Sequence, residues 1–218
     1  MPLTTEKILS YCAAVISMIN IDLEIISTNR LPIRKTDPDG KIFEQCGSVD
    51  KYLAYLEKNI DPINKKQRLA LDELFEKEDL SAEQTIEKIA GYAQHTKVGN
   101  CEQMACLAFV FLKELMPDKS IELVTTDNHM FVVIGRDQKK AIDNPAEYGS
   151  EAVICDPWAR RSYKATNFFI ERDLYRPAAP TDLFNPGSYL KGKPKLYHAY
   201  IPEKKDEPDS PAPILSSV

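Results

Sequence analysis

The chain has 218 residues, 43% hydrophobic and 28% charged, enough for one globular domain with a sizeable core and too little for a multi-domain machine. Lys and Arg number 28 against 33 Asp and Glu, a formal charge of −5, so the strongly basic footprint of a nucleic-acid partner is excluded. The longest uncharged run near the start, residues 8–21, falls short of the roughly 20 apolar residues of a membrane helix, and no basic leader or small-residue cleavage site precedes Asp22. The expectation is a soluble protein outside the general secretion route, with no membrane partner. Cys12, Cys46, Cys101, Cys106 and Cys155 are odd in number and lack framework spacing, which fits a reducing compartment.

In chain order, Ile8, Tyr11, Cys12, Val15, Ile16 and Ile19 recur at helical spacing from Thr5 to about Ile21, with Thr4 or Thr5 as the cap. Between Asp22 and Cys46 the runs are short and β-favouring, and Asp37, Pro38, Asp39 and Gly40 read as the turn of a hairpin. Ser48 or Asp50 starts a helix through Ile60. Pro62 opens another, with Leu69, Leu71, Leu74 and Phe75 as its apolar stripe. Ser81 with Gln84 forms a capping-box pattern for a third helix that ends near Gln94. After the loop around Gly99, a helix runs from Cys101 to about Leu115 and stops before Pro117. Three β-like runs follow, at residues 121–126, 129–135 and 152–156. Nine of the 15 prolines lie from Pro157 onward, which predicts extended segments and loops with a last strand at 195–201. The tail, 202–218, cannot bury a core and is expected to be disordered. The pattern is α+β in one domain: a mainly helical part over 1–80 with the short hairpin, then a helix packed on a mostly antiparallel sheet over 81–201.

Three segments carry the candidate chemistry: VGNCEQMA around Cys101, DNHMFVVIGR around His129 and AVICDPWA around Asp156. Cys101 follows a Gly-Asn turn and starts a helix, so its sulfur lies at the positive end of the helix dipole, where a thiolate is favoured. His129 begins a strand whose two alternating sets are both apolar, the mark of a central strand buried on both faces. An unpartnered imidazole there costs about 1 to 3 kcal/mol. Pairing this strand antiparallel with 152–156 so that His129 faces Asp156 sets Phe131 against Ile154 and Val133 against Ala152; a shift of two residues keeps the same facing pattern. The carboxylate then fixes the imidazole tautomer while the other ring nitrogen points towards Cys101. Nucleophile, base and orienter are thereby filled.

A thiol of pKa about 8.5 is only roughly 3% ionised at pH 7, so full ionisation gains at most about 30-fold, and oxyanion donors matter as much. The backbone N–H of Cys101 and the side-chain amides of Gln94 and Asn100 are the candidates, with Trp158 a candidate wall of the substrate cleft. A metal site is not expected, because Cys101 and Cys106 stand about 140° apart round a helix. His95 and His198 read as structural or solvated.

The ordered set GNCEQMACLAFVFLKEL, NHMFVVIGR and VICDPWA resembles the transglutaminase-like branch of the papain-like cysteine enzyme superfamily over roughly residues 84–160. The resemblance implies a catalytic core of that type over 81–201, with Cys101 as nucleophile, His129 as general base and Asp156 as orienting acid. It also implies no cofactor and a protein substrate whose amide is cleaved, deamidated at glutamine or cross-linked to an amine through a thioacyl intermediate. The chain departs from several branches of the superfamily. It has no acidic calcium loop and no paired CxxC motifs; VGN replaces an Arg-Gly-Gly lead-in, and Glu102 stands where an aromatic often follows the cysteine. Size and triad order are similar to small bacterial effector proteases and deamidases, which implies a bacterial cytoplasm or delivery into a host cytosol. The tail 202–218 resembles an export signal, but its composition reads more readily as a solvated tail. Cleavage or deamidation is expected ahead of cross-linking, and a catalytically inactive interaction module of the same fold is the alternative. Oligomeric state is not encoded in these motifs.

Overall fold

The computed structural model describes residues 3–30, 32, 37–174 and 190–202. The Thr4 hydroxyl accepts from the Lys7 N–H and starts α1, Thr5–Ser17, whose spacing buries Ile8, Cys12, Val15 and Ile16. The helix then widens into a π-helical turn, Met18–Asp22.

Where a hairpin is expected the chain forms α2, Pro38–Cys46. The same four residues that read as a turn serve a helix start: Asp37 takes the cap position with extended backbone, and Pro38 enters the first turn, where a missing N–H is harmless. Gly47 ends the helix in the left-handed region at φ 74°. Residues 31 and 33–36 of the expected hairpin lie outside the described residues.

Ser48 caps α3, Val49–Tyr55, which passes through a second π-helical turn, Leu56–Ile60, into α4, Asp61–Lys77. The expected apolar stripe of α4 is its buried face only in part: Leu71 is buried and Leu74 half-buried beside Asn64 and Gln67, while Leu69 is 64% exposed and Phe75 36%. Leu69 stands about 200° round the helix from Leu71, so the two cannot share a face. The capping box of Ser81 and Gln84 opens α5, Ala82–Thr96, with reciprocal bonds of 2.9 and 3.2 Å. Next comes α6, Cys101–Leu115.

Five strands make one antiparallel sheet: β1 Ile121–Thr125, β2 Met130–Ile134, β3 Val153–Asp156, β4 Arg161–Lys164 and β5 Lys195–Tyr200, in the order β4-β3-β2-β1-β5. Strand β4 and the short helix α7, Phe168–Leu174, stand where loops are expected. As its sequence predicts, β2 is central and buried along its whole length. Helix α6 packs on β1 and β2, and α1 on β3 and β4. One apolar cluster unites α1, α5, α6 and the sheet, giving an α+β arrangement. A smaller cluster gathers Tyr52, Leu56, Ile60 and Val98. Among the described residues no helix is long and apolar enough to cross a membrane. The tail from 203 to 218 falls outside the described residues.

The β2–β3 register differs from the expected one by two residues: Val132 pairs with Cys155, Val133 with Ile154 and Ile134 with Val153. One step further along this ladder brings Asp156 level with Phe131, which leaves His129 diagonal to the carboxylate on the same face. Diagonal neighbours are within reach of long side chains, so the slip preserves the meeting of the two residues.

Candidate active site

Cys101 opens α6 and is half-buried. Its N–H belongs to the first helical turn, where backbone donors have no intrahelical acceptor. The loop before it is strapped down: Ile26 N–H donates to Lys97 O at 2.9 Å and Gly99 N–H to Ile26 O at 3.1 Å. Gly99 has to be glycine, because a Cβ there would stand 2.9 Å from the Gln103 Cβ. Asn100 N–H donates to Gln103 Oε1 at 2.9 Å, and Asn100 Oδ1 accepts from the Thr28 N–H and the Ser27 hydroxyl, both at 3.0 Å. The sulfur is therefore presented by a rigid helix start.

His129 precedes β2, with its carbonyl accepting from Thr126 N–H at 2.8 Å across the turn. The ring is 6% exposed as a residue, and Nε2 lies 2.7 Å from Asp156 Oδ2. The Cys101 side chain also acts on the ring and helps to hold its charge. Burial works against a charged ring, but the Asp156 carboxylate and the hydrogen bonds to Asp156 and Cys101 outweigh it and push the His129 pKa up to about 10. Asp156 is fully buried, and its Oδ1 accepts from the Ala159 N–H at 2.9 Å. Imidazole and carboxylate are joined directly, with Cys101 near enough to act on the ring.

The raised pKa carries a stability consequence. A group that holds its proton more tightly folded than unfolded stabilises the fold fully below its unfolded pKa and loses that contribution as pH rises through its folded pKa. For His129 the window runs from pH 6.5 to about 10. Urea midpoints are expected to fall across it more steeply in the wild type than in His129→Gln; parallel curves would contradict the assignment.

A buried ionic scaffold holds the turn after Asp156. Arg30 Nη2 meets Asp39 Oδ2 at 3.1 Å, Arg160 Nη2 meets Asp39 Oδ1 at 3.0 Å, Arg160 also pairs with Asp37, and Arg30 Nη1 donates to Trp158 O. Asn20, in the π-helical turn, donates to Pro157 O at 2.9 Å and accepts from Arg160 Nε at 2.9 Å. Arg160 itself sits at φ 56°. Removing one member leaves a buried charge uncompensated, so Arg30→Ala should cost about 3–5 kcal/mol in equilibrium unfolding. A loss below about 1 kcal/mol would show that the network holds nothing.

The other site candidates fall elsewhere. The Asn100 carboxamide is turned to the Ser27–Thr28 loop, and its Nδ2 donates to the Thr28 hydroxyl at 3.0 Å, so it holds the helix start in place. Gln94 is exposed on α5, whose buried face is Ile86, Ile89, Ala90 and Ala93, and it does not line the hollow beside Cys101. Trp158 is 4% exposed, stacks edge-on to His129 with centroids 5.2 Å apart, and donates its indole N–H to the Ser27 hydroxyl at 3.1 Å and Asn29 Oδ1 at 3.0 Å. It shields the imidazole from behind. His95 is exposed on α5, and His198 packs edge-on to Phe109 at 5.6 Å. Burial pushes the Cys106 thiol up, while for Cys155 the hydrogen bond with Cys12 comes first and burial second.

Sequence reasoning missed Asn20, Arg30, Asp37, Asp39, Arg160 and the Ser27–Asn29 loop. Asn20 alone leaves a local trace: it continues the i, i+4 series of Ile8, Cys12 and Ile16, a polar residue on a buried stripe. No protein-family model matches the chain, and no curated protein is significantly similar to it.

Proposed function

We propose that the protein is a cysteine-nucleophile acyl-transfer enzyme of transglutaminase-like fold that acts on a protein amide. The observation that carries this reading is the 2.7 Å imidazole–carboxylate bond of His129 and Asp156, with Cys101 at the start of α6 acting on the same ring. A nucleophile at a helix start, packed on an antiparallel sheet that supplies the base and then the acid in chain order, supports the fold assignment. An imidazolium beside the sulfur favours its anionic, nucleophilic form. The sulfur of Cys101 attacks the amide carbon, and the backbone N–H at the helix start stabilises the developing oxyanion. His129 gives its proton to the departing nitrogen, which leaves a thioester. Water then attacks the thioester carbon while His129 takes a proton from it, and the C–S bond breaks to release the acid and restore sulfur and imidazolium. Asp156 holds the ring and its charge throughout.

The test is intact-mass and peptide-level mass spectrometry of candidate protein substrates incubated with wild type and with Cys101→Ala. Amide-to-acid exchange identifies a deamidase, new chain ends a protease and an added amine a cross-linking enzyme. Products that persist with Cys101→Ala would refute the reading.

A further inference from the structure

The hollow beside Cys101 holds polar groups that the triad does not use. It encloses about 200 Å³ and is lined by Asn29, Asn64, Arg68, Asn100, Glu102 and Gln103 around the cysteine. Asn64 and Arg68 come from α4, four residues apart on one face. Asn64 is 6% exposed, and its Oδ1 is buried without a hydrogen-bond partner among the described residues. Arg68 makes no ion pair among the described residues.

An unpaired buried carboxamide oxygen costs about 1–3 kcal/mol, and asparagine is a poor helix former, so both terms oppose Asn64 near the start of α4. An N–H donor brought by a ligand removes the first of them. Pockets that enclose drug-sized ligands measure about 300–1,000 Å³, so this hollow suits one residue beside a reacting amide and not a long segment. Its charged lining separates by wall, with Arg68 on α4 and Glu102 on the first turn of α6. A carboxylate entering the hollow is repelled by Glu102 and drawn to Arg68.

We propose that this wall of α4 sets substrate choice by reading a carboxylate next to the attacked amide. Asn64 Oδ1 accepts a main-chain N–H of the substrate, and the Arg68 guanidinium takes the carboxylate, which comes from an acidic side chain or from a chain end. This rests on the reading of Cys101 as the nucleophile.

Iodoacetamide alkylation of Cys101 in the full chain, slowed by millimolar hexapeptides, tests it. The competitors are a blocked peptide amide with Glu beside Gln, the same peptide with Lys for Glu, and a neutral peptide with a free carboxyl end. A partly exposed charge pair is worth up to about fivefold in affinity. The Glu peptide is therefore expected to protect about three- to fivefold better than the Lys peptide. Arg68→Gln removes the preference and Arg68→Glu reverses it, each protection being taken relative to that variant's own alkylation rate without peptide. Protection by the neutral peptide with a free carboxyl end, lost in Arg68→Gln, supports the proposal with a chain end as the source. Asn64→Leu weakens protection by every peptide while the unfolding temperature holds or rises; a fall in unfolding temperature with protection unchanged would mark Asn64 as purely structural and overturn its role. Protection blind to charge, or a preference that survives in Arg68→Gln, overturns the proposal alone. Alkylation that does not single out Cys101 without peptide overturns the nucleophile reading, and this proposal with it.

Discussion

Cys101→Ala is expected to abolish turnover, with a loss on the order of 10⁶-fold, the cost of removing the nucleophile from a comparable triad. The fold should survive. Cys101 is half-buried at the first position of α6, outside the sealed interior, and alanine is the best helix former. No other thiol can substitute: Cys106, five residues on, is fully buried, Cys12 and Cys155 are sealed between α1 and β3, and Cys46, half-buried at the end of α2, does not line the hollow beside Cys101. Circular dichroism melts should overlay those of the wild type while acid or amine release from an identified substrate disappears. A folded Cys101→Ala chain with full turnover would contradict the assignment.

Asp156→Asn is expected to lower turnover about 10³- to 10⁴-fold with substrate binding little changed, because the loss falls on the proton and not on substrate contacts. The shapes are alike, and an Asn oxygen can still accept from the Ala159 N–H now bonded to Oδ1 at 2.9 Å. The atom facing His129 Nε2 becomes an amide nitrogen, however, and the charge is gone. Burial, which opposes the imidazolium in the wild type and is overcome there by the carboxylate, then dominates. The His129 titration should move from about 10 to below its ordinary 6.5, as read by NMR of the imidazole. A ring that titrates unchanged in the variant would show that Asp156 does not hold its charge.

Much of the candidate site was legible because it lies in short, strongly patterned segments. The run from Cys101 to Leu115 is bounded by Asn100 and Pro117, and the apolar run after His129 allows only a central strand. The β2–β3 register was legible only modulo two, since side chains alternate with that period, and the structure took the other solution. Asp37, Pro38, Asp39 and Gly40 were ambiguous for a physical reason: an extended acidic residue before proline begins a turn or a helix equally well, and the residues beyond decide. In α4, Leu69 and Phe75 drew attention from Asn64 and Gln67, the polar residues that the helix buries. The scaffold behind Asp156 was illegible, because Arg30 and Arg160 meet at Asp39 only after residues up to 130 apart in the chain are brought together by the fold.

The central claim is most directly tested by the pH dependence of iodoacetamide alkylation at Cys101, measured against Cys46 in the same molecules. Both thiols are half-buried, so exposure does not separate them, and Cys46 has no imidazole assigned to it. Cys101 is predicted to react faster than Cys46 at pH 6 and to lose that advantage in His129→Gln. Equal rates for the two cysteines at pH 6, or no modification of Cys101, would contradict it.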